Sequence, residues 1–210
     1  MRKIWIMIAA TIGIILIGGI LVGPVMSDVE IPSYQIIRAE KNIEIRRYQP
    51  MIIAEVEMTG PRTEAIGDGF RLLADYIFGN NTVRQNIAMT APVQQQESTK
   101  IAMTAPVQQQ STGGSWKVSF VMPSKYTLDS LPKPNNERVI LKQVSAKQFA
   151  VIRFSGTSSD ENVTEHEKQL LEYVKANDMR VTGSPQYAFY NPPWTIPPLR
   201  RNEVMIEIEQ

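Results

Sequence analysis

Between Lys3 and Asp28 the chain carries no charged side chain. Those 24 residues, 4–27, are the feature that most limits what the chain can become. As a helix rising about 1.5 Å per residue they reach roughly 36 Å, enough to cross a hydrocarbon core of about 30 Å. Arg2 and Lys3 precede the run, and flanking cations favour a cytoplasmic N-terminus. The expectation is a single-pass membrane anchor over residues 1–27, inserted in a lipid bilayer through residues 4–27, with residues 28–210 on the extracytoplasmic side. A cleaved signal peptide is the rival reading. Its apolar region is usually about 7–15 residues and ends in an A-x-A-like site; this run is longer and offers only Val25-Met26-Ser27. Gly19 and Gly23 have the spacing of a close helix contact, a pattern common by chance.

Setting the run aside leaves 20 basic and 21 acidic residues, a net charge of −1 in place of +1. That balance argues against a nucleic-acid partner held by a basic field. The 183 residues that follow are enough for one sizeable core. Ordinary apolar content, 12 Gly and no Cys exclude a collagen, a disulfide scaffold and a wholly disordered chain. Without Cys an oxidising compartment has nothing to cross-link, which is compatible with an extracytoplasmic location.

The remaining chain reads as strands, helix, strands, twice. Residues 34–40, 43–48 and 51–58 alternate or are rich in Ile and Val, with Asn42 and Gln49-Pro50 as turns. Gly60-Pro61 opens a helix, with Pro at its first position. Ile66, Phe70, Leu73 and Ile77 give it one apolar face, and Gly79-Asn80 a left-handed end. Strand follows through residues 116–122, then a Pro-rich loop. In the second half, residues 139–144 and 148–154 read as strands. Ser158 with Glu161 makes a capping box for a helix of about 18 residues whose face is Val163, Leu170 and Val174. Strands at 186–190 and 203–209 close the chain. In the last, Glu203, Glu207 and Glu209 alternate with apolar residues, which predicts a wet or rim face. The fold class expected is α+β: a twisted, mostly antiparallel β-barrel of two similar halves flanked by two α-helices, plus an N-terminal transmembrane helix.

Residues 87–96 read IAMTAPVQQQ, and residues 101–110 repeat them letter for letter. The offset is even, so two strands in phase would turn the same residues to the same face. Pro92 and Pro106 would end each copy at an edge or bulge, with Gln94–Gln96 and Glu97-Ser98-Thr99 as a polar connection between the copies. Two readings of Met89 and Met103 stay open: core residues of a hairpin, or soft thioethers lining a cavity for an apolar aromatic guest.

Cysteine nucleophiles and Cys metal clusters are excluded, and the single His166 excludes a multi-His metal site. His166 sits beside the apolar stripe of the second helix in an acidic stretch, and reads as a partly exposed helix residue. No Gly-rich phosphate loop and no acidic cluster for a divalent ion is present. No catalytic residue and no metal ligand is assigned, and an enzyme is not expected. Three positive signals remain: Tyr190-Asn191-Pro192-Pro193-Trp194, an aromatic rigid loop; Arg200-Arg201 after it; and Glu44-Ile45-Arg46-Arg47-Tyr48 on an early strand. Rings that stack beside guanidinium forks suit a planar, carboxylated ligand. A packed rim with solvated arginines is the plainer reading of the same residues.

Several short stretches together resemble the SOUL family of haem-binding proteins, in the subgroup with an N-terminal membrane segment. They are Glu44-Ile45-Arg46-Arg47-Tyr48-Gln49-Pro50, Gly69-Phe70-Arg71-Leu72-Leu73-Ala74-Asp75-Tyr76-Ile77-Phe78-Gly79-Asn80, the Ile-Ala-Met-Thr-Ala-Pro-Val copies, Phe120-Val121-Met122-Pro123-Ser124, Arg153-Phe154-Ser155-Gly156, Tyr190-Asn191-Pro192-Pro193-Trp194 and Arg201-Asn202-Glu203-Val204. The resemblance spans about residues 34–209. It implies non-covalent, reversible binding of haem or a related tetrapyrrole, as carrier, buffer or scavenger, and no catalytic reaction. It places the ligand against the first helix, here Phe70, Leu73, Ala74 and Ile77, and against the loop before the last strand, here Tyr190, Trp194, Arg200 and Arg201. Where some members carry a His proposed to bind iron, this chain has Arg47. Gly67 and Asp75 fall near positions of basic residues thought to meet the propionates, leaving Arg71, Arg200 or Arg201 as substitutes. Met89, Met103 and Tyr190 are the iron contacts that remain. The alternative function is a general binder or sensor of amphipathic small molecules without haem specificity.

Overall fold

The computed structural model describes residues 29–83 and 98–209. The expected membrane helix and the first copy of the repeat, with Met89, lie outside the described residues. Among the described residues no helix is long and apolar enough to cross a membrane.

The elements in chain order are β1 (Tyr34–Glu40), β2 (Ile43–Tyr48), β3 (Met51–Met58), α1 (Arg62–Phe78), β4 (Asn81–Thr82), β5 (Val107–Ser111), β6 (Trp116–Val121), β7 (Lys133–Pro134), β8 (Ile140–Val144), β9 (Lys147–Phe154), α2 (Asp160–Ala176), β10 (Gln186–Phe189) and β11 (Asn202–Ile208). A short 3-10 turn, Pro197–Leu199, precedes β11. Nine strands form one antiparallel sheet in the order β1-β2-β9-β11-β10-β5-β6-β3-β8, and β4 pairs with β7 in a separate ribbon. The sheet curls into a half-barrel. It is not closed by hydrogen bonds, because β1 and β8 are its two edges; this corrects the expected barrel.

The two halves are visible in the strand order. Exchanging β2, β3, α1, β5 and β6 for β8, β9, α2, β10 and β11 turns the order β2-β9-β11-β10-β5-β6-β3-β8 into its own reverse. The halves therefore meet at β5 and β10, which pair at the centre. Among the described residues, β1 is the one long strand without a counterpart.

Strand alternation assigns the two faces. One face carries Ala54, Val56 and Met58 of β3, Val118 and Phe120 of β6, Ala150, Ile152 and Phe154 of β9, and Val204, Ile206 and Ile208 of β11. These apolar side chains lie beneath the helices: α1 adds Ala65, Leu73, Tyr76 and Ile77, and α2 adds Val163, Leu170 and Val174. Leu73 and Leu170 are fully buried; truncating such a residue to Ala costs about 2–5 kcal/mol. The other, concave face holds a smaller cluster of Tyr48, Phe149, Val151, Ala188 and Met205.

The first helix is turned by about one residue from its expected face. Its buried line runs through Ala65, Gly69, Leu73 and Ile77, while Phe70 is 37% exposed. Gly69 explains the rotation: a Cβ there would sit 2.7 Å from the Cβ of Val118, so only glycine lets α1 approach β6 so closely. Pro61 is the N-cap and not the first helical residue, and Gly79, at φ 129°, ends the helix. The second helix is capped by Ser159 in place of Ser158, its hydroxyl accepting from the Asn162 amide at 3.4 Å.

The repeat departs most from expectation. In the second copy, residues 101–106 are not strand, and β5 begins at Val107, after Pro106 and not before it. Proline cannot donate to a ladder, so pairing starts once it is passed. Gln108, Gln109 and Gln110 of the second copy form the central strand, pairing with Ala188, Tyr187 and Gln186, while the Gln run expected as a connection, residues 94–96, lies outside the described residues.

Candidate functional site

α1 packs on β3 and β6, and α2 packs on β9 and β11. The central pair β5 and β10 thus lies between the helices. In register across this face stand Phe189 of β10, Val107 of β5 and Phe120 of β6. Phe120 is buried, whereas Phe189 and Val107 are half-buried. Phe70 of α1 crosses Phe120 edge to face at 5.4 Å. The result is an apolar strip, partly open to solvent, at the junction of the two halves.

Arg62 closes one end of this strip. It donates to Asp160 Oδ1 and to the Ser158 carbonyl, both at 2.5 Å, tying the start of α1 to the start of α2. Its guanidinium lies 5.8 Å from the Tyr187 ring and 5.9 Å from the Phe189 ring. Its carbonyl accepts from Gln109 Nε2 at 2.8 Å.

The sequence-predicted residues among those described separate into four groups. Leu73, Ala74 and Ile77 are buried, and Leu73 and Ile77 belong to the core beneath α1. Phe70 and Met103 are each 37% exposed. Met103 lies on the segment from α1 to β5, fixed on one side by the Ile101 amide donating to the Ile77 carbonyl at 2.8 Å and on the other by the Thr104 hydroxyl donating to the Val121 carbonyl. The third group is the loop before β11. Trp194 is 67% exposed, and Ile196 and Leu199 are also exposed. Arg200 holds the loop from within, donating to the Thr195 and Pro193 carbonyls at 2.6 Å each.

Arg201 and Tyr190 point elsewhere, into a buried polar network on the concave face. Arg46 Nη1 and Nη2 donate to the two carboxylate oxygens of Glu203 at 2.9 and 3.1 Å. Arg201 donates to Glu203 Oε1 at 2.7 and 2.9 Å, and the Tyr190 hydroxyl donates to Oε2 at 2.8 Å. Arg46 lies 4.4 Å from the Tyr34 ring and Arg201 3.9 Å from the Tyr190 ring. Burial alone would raise the Glu203 carboxyl, but the hydrogen bonds and charges of Arg46 and Arg201 outweigh it and hold it below its ordinary value. Burial, then the Glu203 charge, pushes the Tyr190 phenol well above its ordinary value. Burial likewise pushes Tyr48 up to about 12, against the pull of Arg46. Glu203 therefore does not belong to a wet face, as its alternation with Glu207 and Glu209 predicted. Arg46 stood within a noticed motif, but nothing in the local pattern joined it to a residue 157 positions away.

His166 is half-buried, its ring stacked on Phe154 at 4.0 Å and Nδ1 2.7 Å from the Asn162 carbonyl. Among the described residues no group of three or more His, Cys, Asp or Glu side chains could hold a metal ion.

The family model described as SOUL heme-binding protein matches residues 29–207. The chain belongs to the SOUL family. A search of the curated proteins finds no match. Among solved structures, this SOUL chain is similar to the C-terminal domain of EcmrR, with TM-score 0.57 and 10% identity over 84% of this chain and 98% of that one. It is also similar to a hydrolase from Listeria innocua, with TM-score 0.52 and 10% identity over 82% and 94% of the two chains. At such identities these two likenesses concern the fold alone.

Proposed function

We propose that this SOUL protein binds haem or a related tetrapyrrole reversibly, without catalysing its conversion, as a carrier, buffer or scavenger tethered to a membrane by residues 4–27. Membership of the heme-binding family over residues 29–207 carries this reading. The structure supports it with an apolar strip left partly open between the helices.

The residues present suit a flat, largely apolar ligand with acidic edges. Phe70, Val107 and Phe189 offer ring and aliphatic contact at one level of the sheet, and the exposed Trp194 lies on the loop that follows Phe189. Aromatic surface of this kind favours a planar ring system. Arg71, mostly exposed and paired with Asp68 at the surface of α1, is a cation that could exchange that partner for a ligand carboxylate. Arg200 and Arg201 are engaged with loop carbonyls and with Glu203; their part is to shape the loop. Met103 is the exposed soft donor, while the Tyr190 hydroxyl is engaged by Glu203. Bound haem would supply an iron centre and two propionates, with affinity resting mainly on apolar enclosure.

The test is a haemin titration of the full-length chain in lipid nanodiscs, with empty nanodiscs as the blank. A saturable shift of the Soret band at micromolar haemin is expected; a linear response equal to the blank overturns the proposal.

A further inference from the structure

The concave face presents a second site, on the side of the sheet opposite the helices. Strand alternation turns Gln108 and Gln110 of β5, Lys117 and Ser119 of β6, Glu55 of β3 and Lys142 of β8 to that face. They line a cleft of about 140 Å³. At roughly 30 Å³ per water that is room for about five waters, or for one small organic molecule. Its floor is apolar: Phe149 and Met205 are buried, and Met51 and Val144 are half-buried.

The lining carries three lysines, Lys117, Lys142 and Lys147, and one carboxylate, Glu55. Lys142 Nζ pairs with Glu55 Oε1 at 2.7 Å, and Lys147 Nζ pairs with Glu207 Oε2 at 2.7 Å. Lys117 is half-buried and, among the described residues, joins no ion pair. Its cross-strand neighbour Glu57 instead accepts from the Ser115 hydroxyl. An unpaired cation in a partly desolvated cleft is unfavourable until an anion meets it. The surrounding groups suit a carboxylate: the Gln108 amide and the Ser119 hydroxyl are donors, Ser119 reaching Gln108 Oε1 only at 3.5 Å, while Gln110 Nε2 already donates to the Ser184 carbonyl at 3.0 Å.

We propose that this cleft binds a small organic anion, a carboxylate with a compact apolar body, with the carboxylate on Lys117 and the body on Phe149 and Met205. The helix-side strip lies on the other face of the same strands, so this proposal stands independently of the tetrapyrrole reading.

Calorimetric titration of the full-length chain in nanodiscs with benzoate, benzylamine and benzyl alcohol tests it. Benzoate is expected to bind saturably, more weakly at 0.5 M NaCl, and at least tenfold more tightly than the cationic or neutral analogue. Lys117→Met, which keeps the apolar stem, is expected to weaken benzoate at least tenfold with an unchanged melting temperature. Lys125→Gln, outside the cleft, is expected to leave binding unchanged. Presaturation with haemin is expected to leave the benzoate isotherm in place. No saturable benzoate uptake, equal binding of benzylamine, or full affinity in Lys117→Met each overturns the proposal. Should Lys117→Met unfold, Gln108→Leu replaces it, with the same loss expected and unchanged affinity contradicting the site.

Discussion

Arg46 and Glu203 face each other through two hydrogen bonds, at 2.9 and 3.1 Å, with both side chains almost wholly removed from solvent. They lie on β2 and β11, the two strands that flank β9. Arg201 and Tyr190 complete the same carboxylate, so the pair also fixes both ends of the loop that carries Trp194.

Breaking such a pair on one side leaves a buried charge without its partner, a cost of about 3–5 kcal/mol. Arg46→Met is therefore expected to lower stability by that amount in urea denaturation, and Glu203→Gln by a similar amount. Arg46→Met combined with Glu203→Gln is expected to lose less than the sum of those single changes. Strict additivity would show that the two residues are not coupled.

Glu203 also sets an acid limit. Its carboxyl is held below the ordinary carboxylate value in the folded state. The stability this contributes is present above the unfolded pKa of about 4.3 and is lost as pH falls through the lower folded value. Chemical denaturation from pH 7 down to pH 2 is expected to show a steep loss below about pH 4, and a shallower one in Glu203→Gln. Identical acid limbs would assign the loss to other carboxylates.

Gly69 is a packing requirement and not a flexibility device. Gly69→Ala is expected to cost about 1–3 kcal/mol, because the new methyl must push Val118 away. Adding Val118→Ala is expected to recover part of that loss. A neutral Gly69→Ala would mean that α1 can move off β6 freely.

The periodic parts of this architecture were legible in the residues. The helix near 160–176, with Val163, Leu170 and Val174 inward, followed from its 3.6-residue period, and the strands around 43–58 from alternation. Reading failed where a distant contact decided. The face of α1 turned because Gly69 meets Val118, 49 positions on, and a lone glycine in a helix carries no sign of what it approaches. Glu203 looked solvated because alternation shows which residues share a face, not whether that face is covered. Residues 101–106 looked like strand because they alternate, yet pairing with β6 and β10 begins only at Val107, once Pro106 is passed. Of the site, the aromatic loop and Phe70 were visible; the engagement of Arg200 and Arg201 inside the fold was not.

Arg200 acts on the loop through its two bonds to the Pro193 and Thr195 carbonyls. Arg200→Ala is expected to make residues 190–201 several-fold more susceptible to limited proteolysis, with a stability loss of no more than about 1–2 kcal/mol. Unchanged cleavage would assign loop order to its four prolines alone.

Haemin binding by the wild-type chain and by Phe70→Asp in nanodiscs, read at the Soret band, tests the helix-side site most directly. Phe70 is partly exposed and touches the core at Phe120 edge to face, so Asp there places a charge on the apolar strip and loses about 0.5–1.5 kcal/mol of ring contact beyond its buried area. Saturable micromolar binding by the wild type is expected, with at least tenfold weaker binding by a variant that still unfolds cooperatively at a modestly lower melting temperature. Equal binding by both would contradict the helix-side site, and no saturable binding by either would contradict tetrapyrrole binding itself.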